Sequence, residues 1–156
     1  MNRPSPRFCA SQHIVIEAAP SVVFDLVGGF YTLTEWHPSC VAPEDGVVVA
    51  NVGAKIRRRN RIKGLPSTAK TITEELVELI VTPEMMSYTY DYLEGSFNTT
   101  GYRSTIRCMP TEGGRHSVVQ WSATWDCSEG DGGEEGCNAF YREGLLAAKQ
   151  IIENKS

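Results

Sequence analysis

The chain has 156 residues, of which 41% are hydrophobic and 22% are charged, and it carries a net charge of -4 at pH 7. This length suits one domain around one core, and the composition excludes a disordered chain. The negative charge gives no general attraction to nucleic acid or anionic membranes, and no apolar stretch is long enough to span a bilayer. Because residues 1–7 also lack the apolar core of a secretory signal, we expect one cytoplasmic domain over 1–156, with 1–6 flexible.

The first elements are a strand and two short helices. A run rich in β-branched residues predicts a strand over 7–17, and Pro20 is well placed to open a helix that ends before Gly28-Gly29. A second short helix is predicted over 30–36, because Pro38 pushes the preceding His37 out of the helical region.

The middle of the chain is strand-like and its end is helical. Segments near 46–52, 54–62, 68–81, 85–93, 100–109 and 117–127 are separated by Gly- and Pro-containing turns, which predicts an antiparallel meander. A Gly-rich acidic loop follows over 128–136. From about 134 to 154, apolar residues recur at intervals of three and four, which predicts an amphipathic helix that covers one face of the sheet.

Alternation along the strands separates inner from outer side chains. The basic residues of 55–63 share one parity, and a solvated sheet face explains them better than nucleic-acid binding does. Arg58 and Asn60 then point inward, where Arg58 requires a partner: Glu74, Glu75, or an anionic or carbonyl-bearing ligand.

The predicted inner faces of the later strands are rich in Tyr and Trp. Such side chains serve equally as core with satisfied hydroxyls or as the lining of a pocket. On the last helix, Gly144, Ala147 and Ala148 leave space opposite these large residues, so either a void or a very close helix contact accounts for Gly144. The inner set comprises Met86, Tyr88, Tyr90, Tyr92, Tyr102, Ser104, Ile106, Cys108, Trp121, Ala123 and Trp125.

The cysteines and histidines show no metal-binding or disulfide pattern. There are five cysteines, an odd number without a CxxC pair, and His13, His37 and His116 are far apart along the chain. We expect reduced thiols, no metal and no cofactor.

These residues resemble the helix-grip superfamily, which contains polyketide cyclases and dehydratases, START lipid-transfer domains, the birch-pollen allergen group and the plant abscisic acid receptors. The resemblance covers nearly the whole chain. Its motifs are 14–24 (IVIEAAPSVVF), 35–38 (EWHP), 52–54 (VGA), 64–67 (GLPS), 73–76 (TEEL), 88–90 (YTY), Tyr102, Trp121 and 141–146 (YREGLL).

The resemblance implies an α+β fold in which a seven-stranded antiparallel sheet wraps around a long C-terminal helix, with two short helices after the first strand. It also implies a cavity and places residues around it. The segment 64–67 resembles the gate loop of the abscisic acid receptors, although 94–98 lacks their His-Arg-Leu signature, which argues against hormone sensing. The candidate catalytic residues are His37, Glu74, Arg58 and Tyr102; the candidate ligand-binding residues are Trp36, Asn60, Leu65, Pro66, Tyr88, Tyr90, Ser104, Trp121, Trp125, Phe140, Tyr141 and Gly144.

Three functions fit such a cavity. In the first, an enzyme cyclises, dehydrates or isomerises a polyketide-like molecule, with His37 as base and Glu74 as acid, and with Arg58, Tyr90 or Tyr102 steadying an oxyanion. In the second, a carrier or sensor only holds a small lipophilic ligand. The third is a protein-interaction module. Convergence of His37, Glu74 and Arg58 on one ligand position would favour the enzyme, which we expect to be a monomer or homodimer without membrane insertion.

Overall fold

The computed structural model describes residues 8–65, 69–127 and 133–155. Three predictions fall outside these ranges. They concern the flexible residues 1–6, the site residue Pro66 and most of the loop after residue 127. The strands are β1 (Phe8–Ile16), β2 (Cys40–Val41), β3 (Arg57–Ile62), β4 (Ile72–Val81), β5 (Met86–Glu94), β6 (Thr99–Thr111) and β7 (His116–Cys127). The helices are α1 (Pro20–Val27), α2 (Leu33–Trp36) and α3 (Glu134–Glu153), with a short 3-10 turn at Glu112–Gly114.

The strands form one antiparallel sheet in the order β1-β7-β6-β5-β4-β3-β2. One stripe of the amphipathic helix α3 is buried against the inner face of this sheet. The hydrophobic core therefore lies between the helix and the sheet. The seven-stranded helix-grip fold predicted from the sequence is therefore confirmed. Its buried stripe on α3 consists of Tyr141, Gly144, Leu145, Ala148 and Ile152.

The strand predicted over 46–52 is wrong. The second strand is instead Cys40–Val41, and residues near 50 make only isolated bridges, such as Val49 with Arg58. Val47, Val49 and Val52 remain about half exposed, and no residue of the segment is buried. The predicted start of the next strand at 54 is also too early, because Val52 and Lys55 bond to each other in a tight turn and β3 begins at Arg57.

The second helix is shorter than predicted. It begins at Leu33 rather than Phe30, because Thr32 closes a turn by donating its backbone N–H to Gly29 O. It ends at Trp36, and His37 is in the extended region as expected before Pro38.

β4 changes its pairing register with β5 between Leu76 and Glu78. Such a bulge reverses which face each following side chain occupies. After the bulge, Leu79 pairs with Tyr88 and shares its face, so the parity of the inner face changes within the strand. Leu79 and Val81 nevertheless remain more than half exposed, whereas Ile72 at the other end is buried.

The free edge of β1 is bonded to side chains of α3. The backbone N–H groups of Cys9 and Ser11 donate to Glu134 and Asn138. Near the far end of the helix, Lys149 Nζ donates to Val15 O at 2.8 Å. The helix is thus fixed to this edge along most of its length.

Candidate ligand-binding site

A cavity of about 360 Å³ lies between the inner face of the sheet and α3. This size lies at the lower end of the range of small-molecule pockets. Its wall is mainly apolar and aromatic, with a few polar side chains. The described lining residues are Leu33, Cys40, Asn60, Ile62, Leu65, Ile72, Glu74, Tyr90, Tyr92, Phe97, Thr99, Tyr102, Trp125, Gly133, Gly136, Cys137, Phe140 and Tyr141.

A buried ion pair stands at the β3–β4 side of this cavity. Arg58 and Glu74 are directly opposite in the strand register, and Arg58 Nε donates to Glu74 Oε1 at 2.9 Å. Arg58 is 0% exposed and Glu74 13% exposed. The inward acid is therefore Glu74, whereas Glu75 faces outward and pairs with Arg57 at 2.7 Å.

Several groups hold the Arg58 guanidinium in place. It donates to Phe30 O at 2.9 Å, and its Cζ lies 4.4 Å and 4.5 Å from the ring centroids of Phe30 and Tyr90. Burial acts against the charged form, but Tyr88 and Glu74 outweigh it, so the pKa of Arg58 is raised. The guanidinium consequently remains charged and supplies the counter-charge of Glu74.

Asn60 lies on the same face of β3 and lines the cavity while only 3% exposed. Among the described residues, neither its Oδ1 nor its Nδ2 has a hydrogen-bond partner. Since buried amides are normally hydrogen-bonded, this side chain is available to a ligand.

A network of hydroxyl groups connects the sheet to α3. Tyr141 OH contacts both Tyr102 OH and Ser104 Oγ. The Trp121 indole N–H lies 3.1 Å from Ser104 Oγ and 3.2 Å from Tyr90 OH. Burial raises the pKa values of Tyr90, Tyr102 and Tyr141. These groups are therefore neutral hydroxyls, suited to donating hydrogen bonds rather than to taking protons.

His37 lies outside the lining of the cavity and is 1% exposed. Its Nδ1 accepts from the Ser39 backbone N–H at 3.1 Å, so Nε2 must carry the proton that it donates to Phe140 O at 2.7 Å. Burial lowers the pKa of His37, partly offset by the Phe140 hydrogen bond and the charge of Glu143. Both nitrogens are thus engaged with the protein, and His37 does not converge with Glu74 and Arg58 on a ligand position.

The lowered pKa of His37 predicts acid destabilisation. Above the ordinary histidine pKa of about 6.5 the ring is neutral in the folded and unfolded chain, and stability is full. As pH falls below that value the unfolded chain takes up the proton first, so stability declines by up to about 1.4 kcal/mol per pH unit until the folded pKa is reached.

Denaturant unfolding at about pH 7.5 and about pH 5.5 measures this loss. His37→Gln is expected to lessen it, because glutamine keeps a donor for Phe140 O without titrating. The exposed His13 provides the matched control His13→Gln, which should retain the loss. If His37→Gln lost as much unfolding free energy between these pH values as the wild type, His37 would not be the cause of the acid destabilisation.

The structure brings part of the predicted site together. Eight predicted site residues line the cavity: Glu74, Tyr102, Asn60, Leu65, Tyr90, Trp125, Phe140 and Tyr141. The other predicted site residues within the described ranges do not line it. Arg58 and Tyr88 lie behind it, and buried Trp36, Ser104 and Trp121 belong to the surrounding core.

Gly144 is explained by close packing and not by a void. A Cβ on Gly144 would lie 2.5 Å from His37 Cδ2 and 3.1 Å from a Trp121 ring carbon. The helix α3 lies so close to His37, at the end of α2, and to Trp121 of the sheet that only glycine fits here.

Several lining residues were missed from the sequence. Tyr92 was predicted on the inner face and Ile62 shares the parity of Asn60, but neither was named as a ligand-binding residue. Cys137 lies one helical turn before Tyr141, so helical spacing was a sufficient signal for it. Leu33 and Cys40 lie outside the long strands, where alternation gives no guidance. Burial raises the pKa of Cys40 to about 12, which makes this thiol unreactive.

Among the described residues, no group of three or more His, Cys, Asp or Glu side chains could hold a metal ion. The basic stripe on β3 is largely paired, since Arg57, Arg59 and Arg61 form ion pairs with Glu75, Asp45 and Glu44. Of the helices within the described ranges, none is both long and apolar enough to cross a membrane.

A family model described as "Polyketide cyclase / dehydrase and lipid transport" matches residues 7–153. The chain belongs to this family. Membership in the polyketide cyclase/dehydrase family confirms the helix-grip superfamily predicted from the sequence motifs. It also indicates that the ligand is small and hydrophobic. A search of curated proteins found no sequence match.

Solved structures share the fold of this family member. Protein XoxI from Bacillus cereus has 24% identity and a TM-score of 0.71, covering 93% of this chain and 95% of its own. The Zhui aromatase/cyclase from Streptomyces sp. R1128 has 13% identity and a TM-score of 0.69, covering 94% of each chain. A START superfamily protein from Mycobacterium smegmatis has 11% identity and a TM-score of 0.67, covering 95% of this chain and 99% of its own.

Proposed function

We propose that this family member binds a small, mainly apolar molecule in its cavity and catalyses the cyclisation, dehydration or isomerisation of that molecule without a cofactor. One observation carries the proposal. Glu74 lies in a mostly apolar wall, with Oε1 held by Arg58, while Oε2 has no hydrogen-bond partner among the described residues. A paired carboxylate with one open oxygen is a suitable acid-base group for a bound ligand.

The proposed chemistry begins with removal of a proton next to a ligand carbonyl. Glu74 Oε2 takes this proton, and the electron pair moves onto the carbonyl oxygen to form an enolate. Asn60 Nδ2, which lacks a partner, is available to donate to that oxygen. In a cyclisation, the enolate carbon attacks a second carbonyl carbon of the same ligand, and the protonated Glu74 returns its proton to the alkoxide that this attack forms. In the other two reactions, Glu74 returns the proton to a carbon of the isomerised product or to a departing hydroxyl group that leaves as water.

Tyr102 is the next candidate donor, because its hydroxyl belongs to the network at the cavity wall. Arg58 acts as a positioning residue, since it orients Glu74 from behind the wall. His37 is left out of the proposed mechanism, because both of its nitrogens bond to backbone groups.

A non-catalytic carrier is the second candidate. It is favoured because His37 does not converge with Glu74 and Arg58, as an enzyme was expected to require, and because the tyrosine hydroxyls are already bonded. Tyr141 OH contacts Tyr102 OH and Ser104 Oγ, and Tyr90 OH accepts from the Trp121 indole N–H. A carrier requires only one or two polar anchors, which Asn60 and Glu74 would supply.

Glu74→Gln separates the two candidates, and Glu75→Gln on the outer face is the matched control. Each protein is expressed, examined by native mass spectrometry, and then denatured so that any bound compound can be extracted. An enzyme predicts that Glu74→Gln copurifies with a substrate that the wild type and Glu75→Gln convert. Added back to wild-type protein, the compound is expected to be consumed about 10²–10⁴ times faster than with Glu74→Gln.

For a dehydration, the compound held by Glu74→Gln is heavier by one water than the product. For a cyclisation or isomerisation, the two have equal mass and separate by chromatography. The same compound in all three proteins, unchanged after long incubation, would establish the carrier instead. Empty cavities in every variant, with no binding of added apolar compounds, would refute both candidates.

A further inference from the structure

Asn60 is an unusual component of an apolar cavity. An amide that is 3% exposed and unbonded at both Oδ1 and Nδ2 destabilises the empty protein, because it has lost water without gaining a partner. Leucine has nearly the same shape without this cost. The amide is therefore best explained by a group that bonds to it in the complex.

Glu74 is the nearest charged neighbour of Asn60 on the cavity wall. The register of β3 and β4 pairs Arg58 with Glu74 and Asn60 with Ile72. Asn60 and Glu74 are consequently diagonal neighbours on one face, about 7–8 Å apart at their backbones, which allows one ligand group to reach both side chains.

We infer that Asn60 determines specificity, by selecting ligands whose polar group is uncharged and carries a hydrogen-bond donor beside an acceptor. The inference rests on the proposed function, since it concerns the ligand of the same cavity. The planar amide offers one acceptor and one donor side by side, and a group of the opposite pattern, such as a carboxamide or a hydroxyl next to a carbonyl, satisfies both at once.

Charge excludes carboxylates from this position. Among the described lining residues, none is Lys, Arg or His, and the Arg58 charge is already balanced by Glu74. A ligand carboxylate would bring a second negative charge next to Glu74 in a site with little water, where like charges repel strongly. The polar end of the ligand is therefore neutral.

Three probes that share one apolar skeleton test this selection. 2-Naphthamide carries the donor-acceptor pair, 2-acetylnaphthalene replaces its donor by a methyl group, and 2-naphthoate is the anion. Titration calorimetry with the wild type is expected to show the amide binding roughly tenfold tighter than the ketone, and the carboxylate at least roughly tenfold weaker than the ketone.

Asn60→Leu is the decisive variant, because it removes no hydrogen bond among the described residues. Its melting temperature should therefore equal or exceed that of the wild type. The amide and the ketone are expected to bind this variant equally. Thr99→Val is the control, because Thr99 Oγ1 is another fully buried polar atom of the described cavity lining that lacks a partner, and this variant should keep the preference for the amide.

The outcomes distinguish this inference from the proposed function. If the probes bind the wild type without preference, if the carboxylate binds best, or if the preference persists in Asn60→Leu, the role of Asn60 is refuted while the ligand cavity stands. If no probe binds any variant, the proposed function fails together with the inference.

Discussion

Arg58→Ala is expected to lower the free energy of unfolding by about 3–5 kcal/mol, because it leaves the Glu74 carboxylate in the wall without its partner. The substitution also removes the contacts of the guanidinium with the Phe30 and Tyr90 rings. For a chain of this length, the melting temperature should fall by about 6–20 °C, as measured by calorimetry.

The neighbouring strand position supplies the control for this prediction. Arg57 also forms an ion pair across β3 and β4, but its side chain is 24% exposed, so Arg57→Ala should cost less than about 1 kcal/mol. Replacing both buried partners, by Arg58→Met with Glu74→Leu, should restore stability to the wild-type level or above. Equal losses for Arg57→Ala and Arg58→Ala would show that the buried pair has no special role.

Gly144→Ala is expected to destabilise the protein by about 1–3 kcal/mol, although alanine favours helices by about 1 kcal/mol over glycine. The added Cβ would overlap the His37 ring at 2.5 Å, and this ring cannot move freely because both of its nitrogens are bonded. The His37 ring is also stacked on Phe140. Thermal unfolding of the purified variant measures the loss.

Gly136→Ala tests the same substitution in the first turn of the same helix. A Cβ at Gly136 would meet nothing within 4 Å, so helix propensity alone should act and stabilise the protein by up to about 1 kcal/mol. The two variants should therefore change stability in opposite directions. A stabilising Gly144→Ala would mean that the helix lies further from His37 than described.

Alternation along the strands predicted much of the site from sequence. The inward positions of Arg58 and Asn60, and those of the tyrosines and tryptophans on β5, β6 and β7, follow from the two-residue period. Glu74 could not be distinguished from Glu75 by this rule, because apolar residues occur on both parities of β4 and a bulge interrupts its period after Leu76. Only the pairing with Arg58 decides between them.

Other features depend on contacts between elements that are distant in sequence. His37 was predicted as a base because of its titration range, but its nitrogens are occupied by Ser39 and by Phe140 of α3. Gly144 was compatible with a void until its distance to His37 was known. The contacts of His37 with Phe140 and Gly144 join residues more than 100 positions apart, so local period or propensity cannot predict them.

The bonds between α3 and β1 also affect how the molecule meets other molecules. An unpaired strand edge is a template on which a strand from another chain can add, which is the first step of edge-to-edge aggregation. At Cys9 and Ser11 the exposed backbone donors already have side-chain acceptors from the helix. The helix that covers the cavity thus also occupies backbone donors of this edge, so a strand from another chain would find these groups already bonded.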